Sequence, residues 1–181
     1  MYASIQQQFE RTGYLEFTLT LIFAALFNLI SLAEGVFMNQ SIQNFAALGG
    51  RLLLAAIFII SGFNKLNNFS GTAAFMSGAG LPASEMLLVL TIAIEIVGGL
   101  MIVLGLYTRQ VALILFLFMI PVTAVFHNPW AAGDPAQVQQ QMIHFLKNLA
   151  IMGGLLHLSA FGPGYFSIEA RKSATASFSG F

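Results

Sequence analysis

The chain has 181 residues, of which 57% are hydrophobic and 8% charged, with a net charge of zero and a mean hydropathy of +0.82. Soluble domains carry about a quarter charged residues, so this composition indicates an integral membrane protein of one domain. No basic run is present that would bind nucleic acid. The absence of cysteine excludes disulfide exchange and thiolate metal sites by the chain itself.

The first hydrophobic segment, at about residues 17–37, allows three interpretations. Its uncharged part, Phe17 to Ala33, would span roughly 25 Å at 1.5 Å per residue, which is short for a hydrocarbon core of about 30 Å. It is an extra spanning helix, a helix lying in the membrane interface, or a cleaved signal peptide. Glu10 and Glu16 argue against the last, because a signal peptide begins with a positively charged region.

Four later apolar segments predict the transmembrane core. They run at about Leu48–Leu66, Met86–Leu106, Gln110–Phe126 and Met142–Phe161. Each is long enough to cross most of a bilayer as a helix. The sequence therefore predicts an all-α integral membrane four-helix bundle at residues 45–170. An N-terminal extension at 1–44 adds a hydrophobic helix, and a polar tail at 171–181 follows the bundle.

The distribution of lysine and arginine predicts the orientation. One side of the predicted bundle carries Arg51, Arg109, Arg171 and Lys172. The opposite side carries Lys65. By the positive-inside rule the first side, with the C-terminus, faces the cytoplasm. Arg51 and Arg109 are expected at the interface, where long side chains reach the lipid headgroups.

An ion pair is predicted inside the bundle. His144, Lys147 and Asn148 share one helical face near the start of the last span, and an intramembrane lysine usually pairs with an acid. Glu95 is the acidic residue deep inside another span. It lies about six ångströms deeper than Lys147 at 1.5 Å per residue, so the sequence predicts a Glu95–Lys147 pair. Thr91, Gly98 and Gly99 share a face with Glu95, and these small residues predict close approach of a neighbouring helix.

Other polar residues map to the same outer half of the bundle. The predicted cluster comprises Glu95, Lys147, Asn148, His144, His127, Asn64 and Lys65. It is interpreted either as a small-molecule or proton-handling site, or as a pair that fixes helix register while its neighbours solvate helix ends. Neither HxxxH nor HExxH spacing occurs, so no metal site is predicted. The cluster does not decide whether the chain is an enzyme.

Short motifs in a fixed order resemble the DoxX family, in particular its YphA-like inner-membrane branch. The motifs are Arg51-Leu52-Leu53-Leu54, Ser61-Gly62-Phe63-Asn64-Lys65, Gly80-Leu81-Pro82, Glu95, Gly105-Leu106-Tyr107-Thr108-Arg109, Met142-Ile143-His144-Phe145-Leu146-Lys147-Asn148 and Gly162-Pro163-Gly164. The resemblance implies a four-helix inner-membrane protein and shared polar positions without an assigned catalytic role. Those positions are Arg51, Lys65, Glu95, Lys147 and Asn148.

The resemblance also supplies the functional hypotheses. The family takes its name from a subunit of an archaeal thiosulfate:quinone oxidoreductase, and other members are linked to redox stress or membrane-protein assembly. The first hypothesis is a non-catalytic membrane subunit or scaffold with a redox or envelope-stress partner, or a homo-oligomer. The second is a quinone-linked oxidoreductase component whose polar cavity binds a quinone head group. A small transporter ranks last, because no inverted repeat of broken helices is visible.

Overall fold

The computed structural model describes residues 18–31 and 39–172, and every regular element in these ranges is helical. The elements are α1 (Thr18–Ser31), α2 (Gln40–Asn67), α3 (Phe69–Gly78), α4 (Ser84–Leu104), α5 (Thr108–Phe126), a 3₁₀ turn at Pro129–Ala131 and α6 (Pro135–Phe161). A further helical turn occupies residues 168–172. The predicted all-α bundle with an additional N-terminal hydrophobic helix is confirmed.

The chain divides into two compact units, residues 1–43 and 44–181. In the first unit, α1 is apolar but shorter than the helices that could cross a membrane. Whether the segment spans the bilayer, lies in its interface or is cleaved stays a prediction, as do the domain boundaries. Residues 17 and 32–37 of that segment, and 173–181 of the polar tail, lie outside the described residues.

Three segments in the described ranges are long and apolar enough to span a bilayer: α2, α4, and α5 together with the 3₁₀ turn that follows it. The fourth helix of the bundle, α6, has 27 residues and packs against α5 more extensively than α4 does. Ala55, Ile102, Leu115 and Leu155 are fully buried at the centre, one from each of these four helices. The core therefore lies where all four helices meet.

Helix α6 begins seven residues or so before the predicted start at Met142, because Asp134 and Pro135 form an effective helix start. The Asp134 side chain accepts a hydrogen bond from the backbone N–H of Ala136 at 3.1 Å, and Pro135 occupies the first helical turn, where its missing N–H costs nothing. Gln139, Gln140 and Gln141 thus lie on the first turns of α6. This places Gln140 and Gln141 beside the end of α5.

Helices α2 and α4 approach closely at two glycines. A Cβ added to Gly99 would lie 2.6 Å from Cγ1 of Ile59, and one added to Gly62 would lie 2.6 Å from Cγ1 of Ile96. Neither distance is tolerable for a real Cβ, so both positions need glycine for this packing. The predicted role of Gly99 is confirmed, and the contact sets α4 against the last turns of α2.

Arg51 does not reach toward the headgroups as predicted, because its side chain is 3% exposed. Its guanidinium donates hydrogen bonds to the carbonyl oxygens of Pro163 at 2.7 Å, Phe166 at 2.5 Å and Val103 at 3.2 Å. The carbonyls of the Gly-Pro-Gly segment and of the end of α4 lack helical partners, and a planar five-donor group satisfies several of them together. Arg51 therefore joins three chain segments inside the protein.

Arg109 lies at the same end of the bundle but stays exposed. Its guanidinium donates to the carbonyl oxygens of Ala160 at 2.6 Å and Phe161 at 3.3 Å, the last residues of α6. A cation at a helix C-terminus satisfies orphan carbonyls and complements the helix dipole. We call this end of the bundle, defined by Arg51 and Arg109, the arginine end.

The two arginines differ in burial, which predicts unequal effects of the same substitution. Arg51→Lys keeps the charge but loses the planar fork, so at least one carbonyl inside the protein loses its donor. The free energy of unfolding should fall by about 1–3 kcal/mol. Arg109→Lys leaves carbonyls that water can reach, so the free energy of unfolding should fall by less. Denaturant titration in mixed micelles measures both, and equal losses would contradict the burial difference.

Candidate functional site

Lys65 and Glu95 form an ion pair between α2 and α4. The Lys65 Nζ lies 2.9 Å from each carboxylate oxygen of Glu95. Ser61 Oγ accepts from Lys65 at 2.6 Å and donates to Glu95 Oε1 at 3.1 Å, so the three side chains form a closed ring of hydrogen bonds. The Lys65 side chain is 27% exposed and that of Glu95 is 7% exposed. The desolvation cost of burying the Glu95 carboxylate is thus offset by hydrogen bonds from two donors, Lys65 and Ser61.

The predicted Glu95–Lys147 pair is wrong. Lys147 is exposed, and its Nζ donates to Nδ1 of His144 at 3.3 Å on its own helix. Neighbouring residues on a helix point about 100° apart. Because Asn148 faces α5, Lys147 is turned away from the bundle interior. Depth along the membrane was compatible with the pair, but the rotation of α6 excludes it.

The ion pair borders a cavity of about 360 Å³ that is partly open to the surroundings. The lining residues come from α2, α3, α4, α5 and α6: Lys65, Thr72, Phe75, Met76, Thr91, Glu95, Val122, Phe126, His127, Gln140, Gln141 and His144. Phe75 and Phe126 stack with ring centroids 5.5 Å apart. The lining therefore combines aromatic and aliphatic side chains with polar ones, which is the usual composition of a small-molecule pocket.

His127 and His144 both line the cavity, and their ring centroids lie 5.1 Å apart. Lysine only donates hydrogen bonds, so Nδ1 of His144 accepts from Lys147 and a neutral His144 carries its proton on Nε2. Nδ1 of His127 lies 3.3 Å from Oε1 of Gln141, an acceptor, so a neutral His127 is protonated on Nδ1 and accepts at Nε2. The two rings thus offer a donor and an acceptor.

Four of the seven predicted cluster residues line this cavity: Glu95, Lys65, His127 and His144. Asn148 is buried elsewhere, where its Nδ2 donates to Thr123 Oγ1 at 3.0 Å between α6 and α5. Asn64 is exposed, because it precedes Lys65 and is rotated about 100° from it on α2. Within the described ranges, no group of three His, Cys, Asp or Glu side chains is arranged to hold a metal ion.

The predicted cluster left out five polar residues of the site: Ser61, Thr72, Thr91, Gln140 and Gln141. The spacing of Ser61 and Lys65 places both on one face of α2, and that i,i+4 relation was a readable signal for the hydrogen bond between them. The glutamines required the Asp134-Pro135 helix start to be recognised. The position of Thr72 at the site depends on how α3 packs against α4, and no local sequence pattern determines that packing.

Comparison with known proteins matches the DoxX family profile to residues 46–128, a range that contains Ser61, Lys65, Glu95 and His127. The chain is 33% identical over 121 residues to the inner membrane protein YphA of Escherichia coli strain K12, covering 67% of this chain and 86% of YphA. It is 34% identical over 130 residues to the inner membrane protein YqjF of the same organism, covering 72% of this chain and 94% of YqjF.

A shorter match of 83 residues, 36% identical, covers 46% of this chain and 60% of CatD of Bacillus subtilis strain 168, whose name marks it as a candidate oxidoreductase. No solved structure matches the chain significantly. The family match ends before α6, so it covers the ion pair and His127 but not His144.

The ion pair predicts a specific pattern of coupling. Lys65→Met leaves the Glu95 carboxylate buried without its cation and should lower the free energy of unfolding by roughly 3 kcal/mol. Glu95→Gln should lower the free energy of unfolding by less, because the amide still hydrogen-bonds to Ser61. Lys65, whose side chain is 27% exposed, then reaches water. The double variant should recover part of the loss. Lys147→Met is the matched control and should add independently to Glu95→Gln.

Unfolding of six proteins in the same mixed micelles provides the measurement: the unsubstituted chain, the three single variants and the two double variants that contain Glu95→Gln. If Lys147→Met coupled to Glu95→Gln while Lys65→Met did not, the pair assigned here would be incorrect.

Proposed function

The chain belongs to the DoxX family and is a multi-pass inner-membrane protein like its relatives. We propose that it is a membrane subunit of an oxidoreductase. In this proposal a quinone head group binds in the cavity beside the Lys65–Glu95 pair. The observation that carries the proposal is the composition of this cavity, which combines the rings of Phe75 and Phe126 with several hydrogen-bonding side chains. The likeness to CatD adds support for a redox role.

The residues present fit a quinone in size and in chemistry. A cavity of about 360 Å³ falls within the range of roughly 300–1,000 Å³ typical of small-molecule sites. Phe75 and Phe126 offer ring faces on which a planar head group can stack. When bound, a quinone supplies electron transfer coupled to proton uptake and release.

The two histidines can serve both redox forms of such a ligand. The Nε2–H of His144 can donate to a quinone carbonyl, and Nε2 of His127 can accept from a hydroquinone hydroxyl. Glu95, in the same cavity, adds a group that holds a proton or releases it. Since the chain has no cysteine, we propose that electrons come from a protein partner. We also propose that the cavity faces outward and the C-terminus lies in the cytoplasm, as the positive-inside rule indicates.

Quinone binding can be followed through Trp130, the one tryptophan of the chain, whose ring contacts Phe145 next to His144. Titration of the purified protein with a short-chain ubiquinone analogue should give saturable quenching and raise the unfolding temperature. His144→Phe removes one donor and should weaken the apparent affinity about tenfold. His157→Phe, the same change on the exposed face of α6, should leave the affinity unchanged.

Quenching that does not saturate, or equal effects of the two histidine variants, would contradict the quinone site. The partner is tested separately by crosslinking in native membranes. Recovery of the chain alone under all crosslinking conditions would contradict the subunit role. A reproducible partner without quinone binding would contradict the quinone site and support the role of a scaffold.

A further inference from the structure

Helix α6 is less apolar on its exposed surface than the other three helices of the bundle. In α2 between residues 52 and 63, in α4 between 86 and 104 and in α5 between 111 and 126, every exposed side chain is apolar. The exposed side chains of α6 between residues 142 and 161 include Lys147 and His157. With 27 residues α6 is long enough to span a bilayer, yet it is not among the three segments of the described ranges that are also apolar enough. Lipid alone is therefore a poor surrounding for this helix.

The polar residues share one face of α6 with two small ones. At 100° per residue, Lys147, Ala150, Gly153 and His157 fall within about 120° of one another around the helix. All four residues are exposed. We call the surface that they form the α6 outer face.

Lys147 lies inside the span and has no carboxylate beside it. The next residue, Asn148, donates to Thr123, which lies about one turn before the end of α5. Nζ of Lys147 contacts His144 on its own helix, and in the part of the chain that the structure describes no acidic side chain forms a salt bridge with it. An ammonium group on the outside of a transmembrane helix is costly unless a group of opposite charge meets it. The α6 outer face thus lacks an anion at the level of Lys147.

Gly153 has no packing role within the chain. A Cβ built there would meet no atom within 4 Å, whereas Gly62 and Gly99 lie at close contacts between helices. Glycine stabilises a helix less than alanine does, so nothing inside the chain accounts for a glycine at this position. Small residues on the surface of a transmembrane helix let the backbone of another helix come close.

We infer that the α6 outer face docks a transmembrane helix of a partner protein, and that this helix carries an aspartate or glutamate level with Lys147. The inference rests on the proposed function, which includes a partner subunit. Charge complementarity favours this occupant over a second copy of the chain. Two copies have the same orientation in one membrane, so a two-fold contact of this face with itself would place two Lys147 side chains at one level. The acid at the start of α6, Asp134, lies roughly 20 Å away along the helix.

Site-directed photo-crosslinking tests the position of the partner. Because the chain has no cysteine, one introduced cysteine carries a benzophenone probe at a chosen place. Ala150→Cys places the probe on the α6 outer face, and Ala124→Cys, at an exposed alanine of α5, is the matched control. Irradiation in native membranes should join Ala150→Cys, and not Ala124→Cys, to a second polypeptide. Peptide mapping should locate the crosslink in a transmembrane segment that contains an acidic residue.

Three further variants in the Ala150→Cys background test the contact itself. Lys147→Glu should reduce the crosslinking yield at least about tenfold, because it sets two carboxylates against each other, and Lys147→Arg should retain the yield. Replacing the mapped acid of the partner by lysine should restore the yield of Lys147→Glu. Gly153→Phe adds bulk where the chain itself has open space, so it should reduce the yield to a similar extent without disturbing the bundle.

Several results would overturn the inference. A covalent dimer of the chain would assign the α6 outer face to a second copy, and a product with phospholipid in place of protein would assign it to the bilayer. Equal yields from Lys147→Glu and Lys147→Arg would exclude the charge pair. Capture of a partner through Ala124→Cys alone would overturn the inference but leave the proposed subunit role, whereas recovery of the chain alone from both positions would contradict both.

Quinone binding separates the two proposals further. Gly153 lies outside the cavity lining, so Gly153→Phe should bind the short-chain quinone with the affinity of the unsubstituted protein. A charge-dependent crosslink from Ala150→Cys in a protein that binds no quinone would support the α6 outer face and contradict the quinone site.

Discussion

The ion pair between Lys65 and Glu95 is the constraint on which the functional end of this bundle depends. A charged side chain at the centre of a bilayer costs roughly 2.5–3.5 kcal/mol on insertion scales, so the buried Glu95 depends on its partner. Lys65 lies in the last turn of α2 and is 27% exposed, so it depends on the pair less. Both oxygens of Glu95 lie 2.9 Å from the ammonium group, and Ser61 closes the ring. The close glycine contacts of Gly62 and Gly99 bring α2 and α4 near enough for these bonds to form. The pair lines the cavity with two polar side chains whose charges neutralise each other.

The two ends of the bundle use charge in different ways. At the arginine end, Arg51 and Arg109 satisfy the carbonyls left by helix ends and by the Gly-Pro-Gly segment, which closes that end of the protein. At the opposite end, the charges neutralise each other and the histidines keep hydrogen-bonding capacity.

The sequence predicted the helical bundle well, because hydropathy and turn residues report directly on spans and their ends. It also placed Glu95, Lys65, His127 and His144 near one another, since alternating spans bring their ends together. It did not identify the partner of Glu95, because residue spacing gives depth but not the rotation of one helix about another. Arg51 was assigned to the headgroups for a similar reason. Its acceptors, such as the carbonyls of Val103 and Phe166, belong to segments more than fifty residues away.

The most direct test of the account is the distance between lysine Nζ and glutamate Cδ in the membrane. Solid-state NMR of protein labelled with ¹⁵N at lysine and ¹³C at glutamate measures it through their dipolar coupling. The strong coupling expected for a direct ion pair should persist in Lys147→Met and vanish in Lys65→Met. A coupling that instead persists without Lys65 and vanishes without Lys147 would contradict the pair on which the account of the cavity and of the quinone site rests.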